Sequence, residues 1–492
     1  MELTKSFYED ASEKFNSDEK NKLARNAVTT TKLDDIIVNR ELIQQHNRLF
    51  SNFIKIKTLP SNQKRSGRCW LFALCNMLRL KIIKEFKLPQ PSDFELSQSF
   101  LFFYDVIEKS NFFLNQIVKF SDEEVNSRMN NIILSEPLSD GGNWNMILNI
   151  VNKYGVVPKT SFDESFTSEN THNLNFFLCN KLRDYAFALR NMEPKERPIF
   201  IEKCMGEVYR IAVIFMGEPP SKITWQYVSK GKYHVVKNIT PQDFYKKYVS
   251  VNLDDYILLA DNPIQKYYTN FTVDNFNNMK NGRDINYINV PCEEMKKIVK
   301  RSLDGGEALW FGCDVDKYLE KSKGILDIDM INYKNVFNTD ISLNKKYRLM
   351  YMTSDITHAM LLRGYDNQIS HVCNITNKSK SKSKSKKKPS LKSKKKVNTK
   401  RGSKAKQKGG AKKTIKVVCN MKSNNPVSKY LVENSWGKTN IDENLVMTDK
   451  YFEEYCYIVA VPKKFVSKKI IEISKKKPKR LNLWDPFGYL LF

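Results

Sequence analysis

The chain has 492 residues, of which 41% are hydrophobic and 12% aromatic, enough for a large buried core and about three domains of ordinary size. No run approaches the roughly 18 apolar residues that a membrane span needs, and Met1-Glu2-Leu3-Thr4-Lys5 does not open an apolar signal segment. The net charge is +28, but 19 Lys or Arg and no acid fall between Lys378 and Lys416, which leaves the rest near +9, an ordinary balance.

The nine cysteines are scattered, with no Cys-x-x-Cys pair, and the five histidines form no His-x-x-x-His pattern. Neither a disulfide framework nor a metal site is expected, and no cofactor. A reduced, cytoplasmic setting fits this usage, with a nuclear address open through the basic segment.

In chain order, the first 60 or so residues read as helices and connections that pack on a later core. A long helix is predicted from Cys69 to about Leu88, because Leu71, Leu74, Cys75, Leu78, Ile82, Ile83 and Phe86 recur at spacings of three and four. Ser66-Gly67 supplies the turn before it. Further helices are predicted over Glu95–Glu108 and Asn143–Tyr154, the latter ended by Gly155. From about 160 to 300 the pattern reads as mainly helical, broken by Gly217-Glu218-Pro219-Pro220. Strands are predicted at Thr357–Gly364, Ile415–Asn420, Lys429–Asn434 and Tyr455–Pro462, short and rich in β-branched and aromatic residues. Helices first and strands later predict an α+β fold of two unlike lobes with a cleft between them. The Lys-, Ser- and Gly-rich segment 377–416 has almost nothing to bury and reads as a disordered insertion between two strands.

Nucleophilic cysteine catalysis needs an ionised thiol, a base in contact with it, a group that holds the base, and donors facing the oxyanion. Cys69 lies at the start of an apolar helix, where the dipole and free N–H groups favour a thiolate. Gln63, six residues upstream, is placed to donate to an oxyanion beside the N–H of Cys69. His358 sits in Thr357-His358-Ala359, and Asn434 in Asn434-Ser435-Trp436-Gly437, where an Asn can fix the imidazole tautomer and a Trp can shield the bond. Each alone has a bland reading: a buried cysteine, a structural histidine, a turn. Cys75, on the same helix, takes the bland one. The order Gln, Cys, His, Asn is the stronger signal.

These residues resemble the bleomycin hydrolase and aminopeptidase C branch of the papain-like cysteine peptidases. The resemblance rests on Asn62-Gln63-Lys64-Arg65-Ser66-Gly67-Arg68-Cys69-Trp70, where Arg68 precedes the nucleophile. It extends through Glu95-Leu96-Ser97-Gln98, Asp140-Gly141-Gly142-Asn143-Trp144, Asp304-Gly305-Gly306 to Val315, and Trp484-Asp485-Pro486-Phe487-Gly488. It implies a triad of Cys69, His358 and Asn434 with Gln63 as oxyanion residue. Gly141 and Gly142 would form the cleft strand that binds an extended peptide, with Trp144 and Phe311–Asp314 lining subsites. It implies an aminopeptidase acting on peptides with a free N-terminus, a homohexameric ring, and a C-terminal arm whose carboxylate, here on Phe492, holds the substrate amine. The implied organisation is an N-terminal segment (1–60), a helical lobe (61–160), a mainly helical insertion and oligomerisation region (161–300), a β-rich lobe (301–465) carrying the basic insertion, and the arm (466–492). The alternative is a nucleic-acid-binding protein on a peptidase scaffold, its lysines in 377–416 meeting phosphates by counterion release.

Overall fold

Strand pairing is the feature that organises this chain. In the computed structural model, residues 1–367, 426–438 and 444–489 are described, with the backbone alone of 373–376 and 416–419. The expected insertion 377–416 therefore lies outside the described residues except for the backbone of Lys416, and Phe492 lies outside them too. Met1–Asp366 and Val427–Phe492 form one compact unit, and Asn367–Pro426 a second. In the second, Cys373–Thr376 pairs antiparallel with Lys416–Cys419.

The first unit is a mixed α+β structure around a 12-stranded sheet. At its centre Cys456–Pro462, Leu309–Cys313, His358–Asn367 and Val427–Glu433 lie side by side. The strand Leu309–Cys313 is antiparallel to both of its neighbours, with Cys313 opposite His358 and Phe311 opposite Val459. Parallel pairs occur toward the edges, as where Tyr256–Ala260 meets Tyr287–Asn289.

Successive side chains on a strand point to opposite faces, and both faces here are covered. Leu258, Ala260, Trp310, Leu361 and Ile458 belong to one core, which holds the long helices. Leu259, Leu309, Phe311, Met360 and Val459 belong to the other, closed by the helices Cys292–Asp304 and Asp449–Tyr455. Burial on both faces explains continuous apolar runs such as Leu309-Trp310-Phe311.

The helix Cys69–Phe86 starts where the cysteine was expected and is buried on almost every side from Trp70 to Ile83. Helix Gln98–Lys119 is longer than its sequence reading, and the Ser97 side chain caps it by accepting from Phe100 N–H. Helix Trp144–Tyr154 ends at Gly155, whose φ of 75° needs a glycine. The mainly helical reading of 160–300 holds through His172–Arg190 and Arg197–Met216 and then fails. Five strands follow between Ile223 and Asn289. Tyr256–Ala260 is buried at every position, so it lacks the alternation that separates a strand from a helix segment. The first two helices, Lys5–Asn16 and Glu19–Thr30, carry no buried residue, whereas further along the same segment Ile37 is buried, Asn52–Phe53 pairs with the strand His358–Asn367, and Ile54 and Ile56 pack on the core. Among the described residues, no helix is long and apolar enough to cross a membrane.

Candidate active site

Cys69 opens its helix directly after Arg68. Arg68 is fully buried; its guanidinium pairs with Glu164 at 2.9 Å, and its Nε donates to Ser66 Oγ at 3.0 Å. The arginine before the nucleophile thus anchors the turn that aims the helix. Deeper in, Trp310 Nε1 donates to the Trp70 carbonyl at 3.1 Å, fixing the first helical turn to the central strand.

That strand pairs with His358, and so brings the imidazole to Cys69. Ala359 N–H donates to Cys69 Sγ at 3.4 Å. Burial pushes the Cys69 thiol up, but the His358 charge, a hydrogen bond from His358 and the N–H groups of Ala359 and Trp70 outweigh it, so the thiol ionises below its ordinary range. His358 responds in the opposite sense. Burial pulls it down, yet Cys69 and the bond to Asn434 hold it above the usual imidazole value. The arrangement favours a thiolate–imidazolium pair.

On its far side His358 Nε2 lies 2.8 Å from Asn434 Oδ1, and the indole of Trp436 sits 5.2 Å from the imidazole. Asn434 Oδ1 also accepts from Ser435 N–H at 2.8 Å, so the oxygen faces donors and the proton belongs on Nε2. Nδ1 is left for Cys69.

Gln63 is joined to the same loop. Its N–H donates to the Ser435 carbonyl at 2.8 Å, and Ser435 Oγ donates to Gln63 Oε1 at 2.6 Å. Gln63 Nε2 donates to the Ser66 carbonyl at 2.8 Å, leaving its second N–H uncommitted among these contacts. Ser435, quoted in the sequence only as part of Asn-Ser-Trp-Gly, therefore couples the glutamine to the asparagine.

Asp140 is a second connection that sequence reasoning passed over, although it opens the Asp-Gly-Gly block. Its Oδ2 accepts from Gly67 N–H at 2.7 Å, and its carbonyl accepts from Trp70 Nε1 at 2.7 Å. It ties the turn before Cys69 to Gly141 and Gly142. A Cβ on Gly142 would lie 2.5 Å from the Trp70 ring, so this backbone passes against the indole only as glycine. The Gly141 carbonyl accepts from Lys109 Nζ, which also pairs with Asp105. Gly141 borders a cavity of about 110 Å³ lined by Phe113, Ile133, Met146 and Phe276 among others.

Two expected subsite residues sit elsewhere. Trp144 is 1% exposed and packs on Trp310 and Tyr256, so it is a core residue with no face for a substrate. Asp314 is also 1% exposed; its Oδ2 accepts from Ser354 Oγ at 2.7 Å, while Oδ1 has no hydrogen-bond partner. Burial pushes its carboxyl up to about 6. Their motifs reach the site, one through Gly142 against Trp70 and the other through Cys313 opposite His358, but Trp144 packs inward and Asp314 is held by Ser354 and Tyr451.

The family model described as Peptidase C1-like family matches residues 2–381 and 397–488, passing over part of the lysine-rich segment. The chain is 35% identical to bleomycin hydrolase of Mus musculus, over 97% of this chain and 96% of that protein. It is 34% identical to cysteine proteinase 1, mitochondrial, of Saccharomyces cerevisiae (strain JAY291), over 97% and 90%. The crystal structure of PepW from Lactobacillus rhamnosis superimposes with a TM-score of 0.85 at 30% identity, covering 100% of this chain and 99% of that one. The chain belongs to the Peptidase C1-like family and is a cysteine peptidase.

Proposed function

We propose that this peptidase is an aminopeptidase of the bleomycin hydrolase type on a papain-like two-lobed frame, with Cys69 as nucleophile, His358 as base and acid, Asn434 as the holder of the imidazole and Gln63 as oxyanion donor. The observation that carries this is the 2.8 Å contact from His358 Nε2 to Asn434 Oδ1, with Cys69 as the imidazole's other partner. In this reading the Cys69 thiolate attacks the carbonyl carbon of the first peptide bond, and the C=O electron pair moves onto oxygen. The second N–H of Gln63 and the N–H of Cys69 face that oxygen. The His358 imidazolium gives its Nδ1 proton to the amide nitrogen as the C–N bond breaks, leaving a thioester. Water, losing a proton to Nδ1, then attacks the thioester, and the thiolate departs.

The aminopeptidase element requires a group that meets the substrate's free amine, and the C-terminal carboxylate of Phe492 is proposed for it. Support comes from the course of the chain just before. Lys479–Leu481 pairs with Thr269–Val273, Arg128 lies over the Trp484 ring at 4.5 Å, and Phe487 is buried against Phe271, Tyr287 and Tyr457. Asp274 N–H donates to the Leu481 carbonyl, beside the Asn275–Asn277 wall of the cavity that Gly141 borders. A homohexamer is proposed with it; exposed Phe176, Phe177, Phe187, Ile199 and Ile214 on two helices suit self-association. A cytoplasmic setting accords with the free thiols of the seven cysteines whose side chains are described. The nucleic-acid alternative rested on 377–416, outside the described residues, and the comparisons give it no support.

The test is hydrolysis of aminoacyl fluorogenic amides in reducing buffer, beside Cys69→Ala. Turnover of free-amine substrates, absent with N-blocked ones and in the variant, is expected. Equal turnover of blocked peptides would overturn the aminopeptidase reading, and turnover by the variant would overturn the nucleophile.

A further inference from the structure

We propose that Glu433, with Arg79 and Arg363, is a positioning cluster that sets the register of the catalytic groups; this rests on the assignment of Cys69, His358 and Asn434 above. Glu433 is 1% exposed and directly precedes Asn434. One carboxylate oxygen lies 2.7 Å from Arg79 Nη2, and the other lies 2.7 Å from Arg363 Nη1. Arg79 stands on the helix that begins with Cys69, and Arg363 on the strand that begins with His358. One carboxylate therefore joins the elements that carry nucleophile, base and orienting amide.

The same arginines reach a fourth element. Arg79 Nη1 donates to the Leu59 carbonyl at 3.1 Å, and Arg363 Nη2 donates to the carbonyls of Ile54 and Ile56. These residues lead into Gln63, whose amide Ser435 holds. Every group proposed for the chemistry thus traces through at most two side-chain bonds, plus its own strand or helix, to Glu433. Each guanidinium splits its fork between one Glu433 oxygen and backbone carbonyls of the 54–59 segment, which limits rotation as well as distance; a packed apolar contact does not.

A buried ion cluster is weak evidence for stability, since apolar residues of similar volume often replace one without loss, whereas removing a single partner strands a charge. That difference supplies the experiment. The triple variant Arg79→Met/Glu433→Leu/Arg363→Met removes all three charges together. The readout is the pH dependence of Cys69 alkylation by iodoacetamide, followed on the Cys69 peptide by mass, with Cys69→Ala as blank. It reports the thiolate–imidazolium pair whether or not the protein proves to be an aminopeptidase, and aminoacyl-amide turnover is measured alongside.

In the folded triple variant, alkylation at pH 6 is expected to fall about tenfold, the equivalent of one pKa unit, with kcat falling more than KM changes. Asp316, which also acts on His358, is untouched by these changes. Should the triple variant fail to fold, Arg363→Lys keeps the charge but loses the fork, and a smaller shift in the same direction is expected. An alkylation profile identical to wild type in either folded variant would overturn the positioning role. Wild-type protein that alkylates readily at acid pH but cleaves no aminoacyl amide would overturn the aminopeptidase reading and leave this one standing.

Discussion

Cys69 and Cys75 occupy one helix, six residues apart, Cys69 partly exposed and Cys75 buried, and their chemistry diverges. Burial pushes Cys75 far above the ordinary thiol range, and distant charges hardly offset it. Burial acts on Cys69 in the same direction, but His358 and two backbone N–H groups reverse it. Position on the helix explains part of this. Cys69 has unpaired helical N–H groups beside it, whereas the second turn has none to offer. The rest comes from the strand His358–Asn367, which presents an imidazole and an N–H to the first residue of the helix alone. Desolvation by itself yields an inert thiol, and a reactive one needs partners for the charge.

The largest expected effect separates the two thiols outright. Cys69→Ala should lower kcat/KM on the order of 10⁵-fold with thermal stability retained, while Cys75→Ala should keep wild-type kcat/KM. Substantial loss of turnover in the Cys75 variant at full folding would break the comparison. Next in size, Gln63→Ala should lower kcat by about 10²- to 10³-fold while the acid limb of the Cys69 alkylation profile stays put, because the oxyanion donor acts after ionisation.

Asp314 extends the rule to a carboxyl. It is buried like Cys75, with one oxygen unpartnered, and its value rises from 3.8 to about 6. The folded state therefore holds a proton that the unfolded state releases between those values. Stability should fall as pH rises from about 4 to about 6 and remain lower above that, by about 3 kcal/mol at most for this group. Asp314→Asn should accordingly raise the melting temperature at pH 8 more than at pH 4; an equal effect at both would show that Asp314 does not titrate in that range. The smallest effect belongs to Cys75→Ser, which places a hydroxyl in an apolar site and should cost about 1–3 kcal/mol by denaturant melt, with kcat/KM unchanged.

Much of this site was legible in the sequence, because its parts are local signals. A turn of Ser66-Gly67 before an apolar period marked the helix start, and the Gln, Cys, His, Asn order narrowed the chemistry. What escaped was of two kinds. Strands buried on both faces, such as Tyr256–Ala260, carry no alternation and were read as helical. Side chains whose direction depends on packing were misjudged: Trp144 shares a motif with Gly141 and Gly142 but turns into the core against Trp310.

The amino-acid sequence by itself determined which residues were able to do the chemistry and the start of the helix that presents Cys69. Tertiary structure alone decided that Glu433 would meet both Arg79 and Arg363, that Asp140 would brace the turn before the nucleophile, and that Cys69 and not Cys75 would find an imidazole. The reason is physical. Helix period and turn preference act within a few residues, whereas the partners that offset the burial of a charge come from 70 to 360 or so positions away, and only strand register and helix packing bring them together.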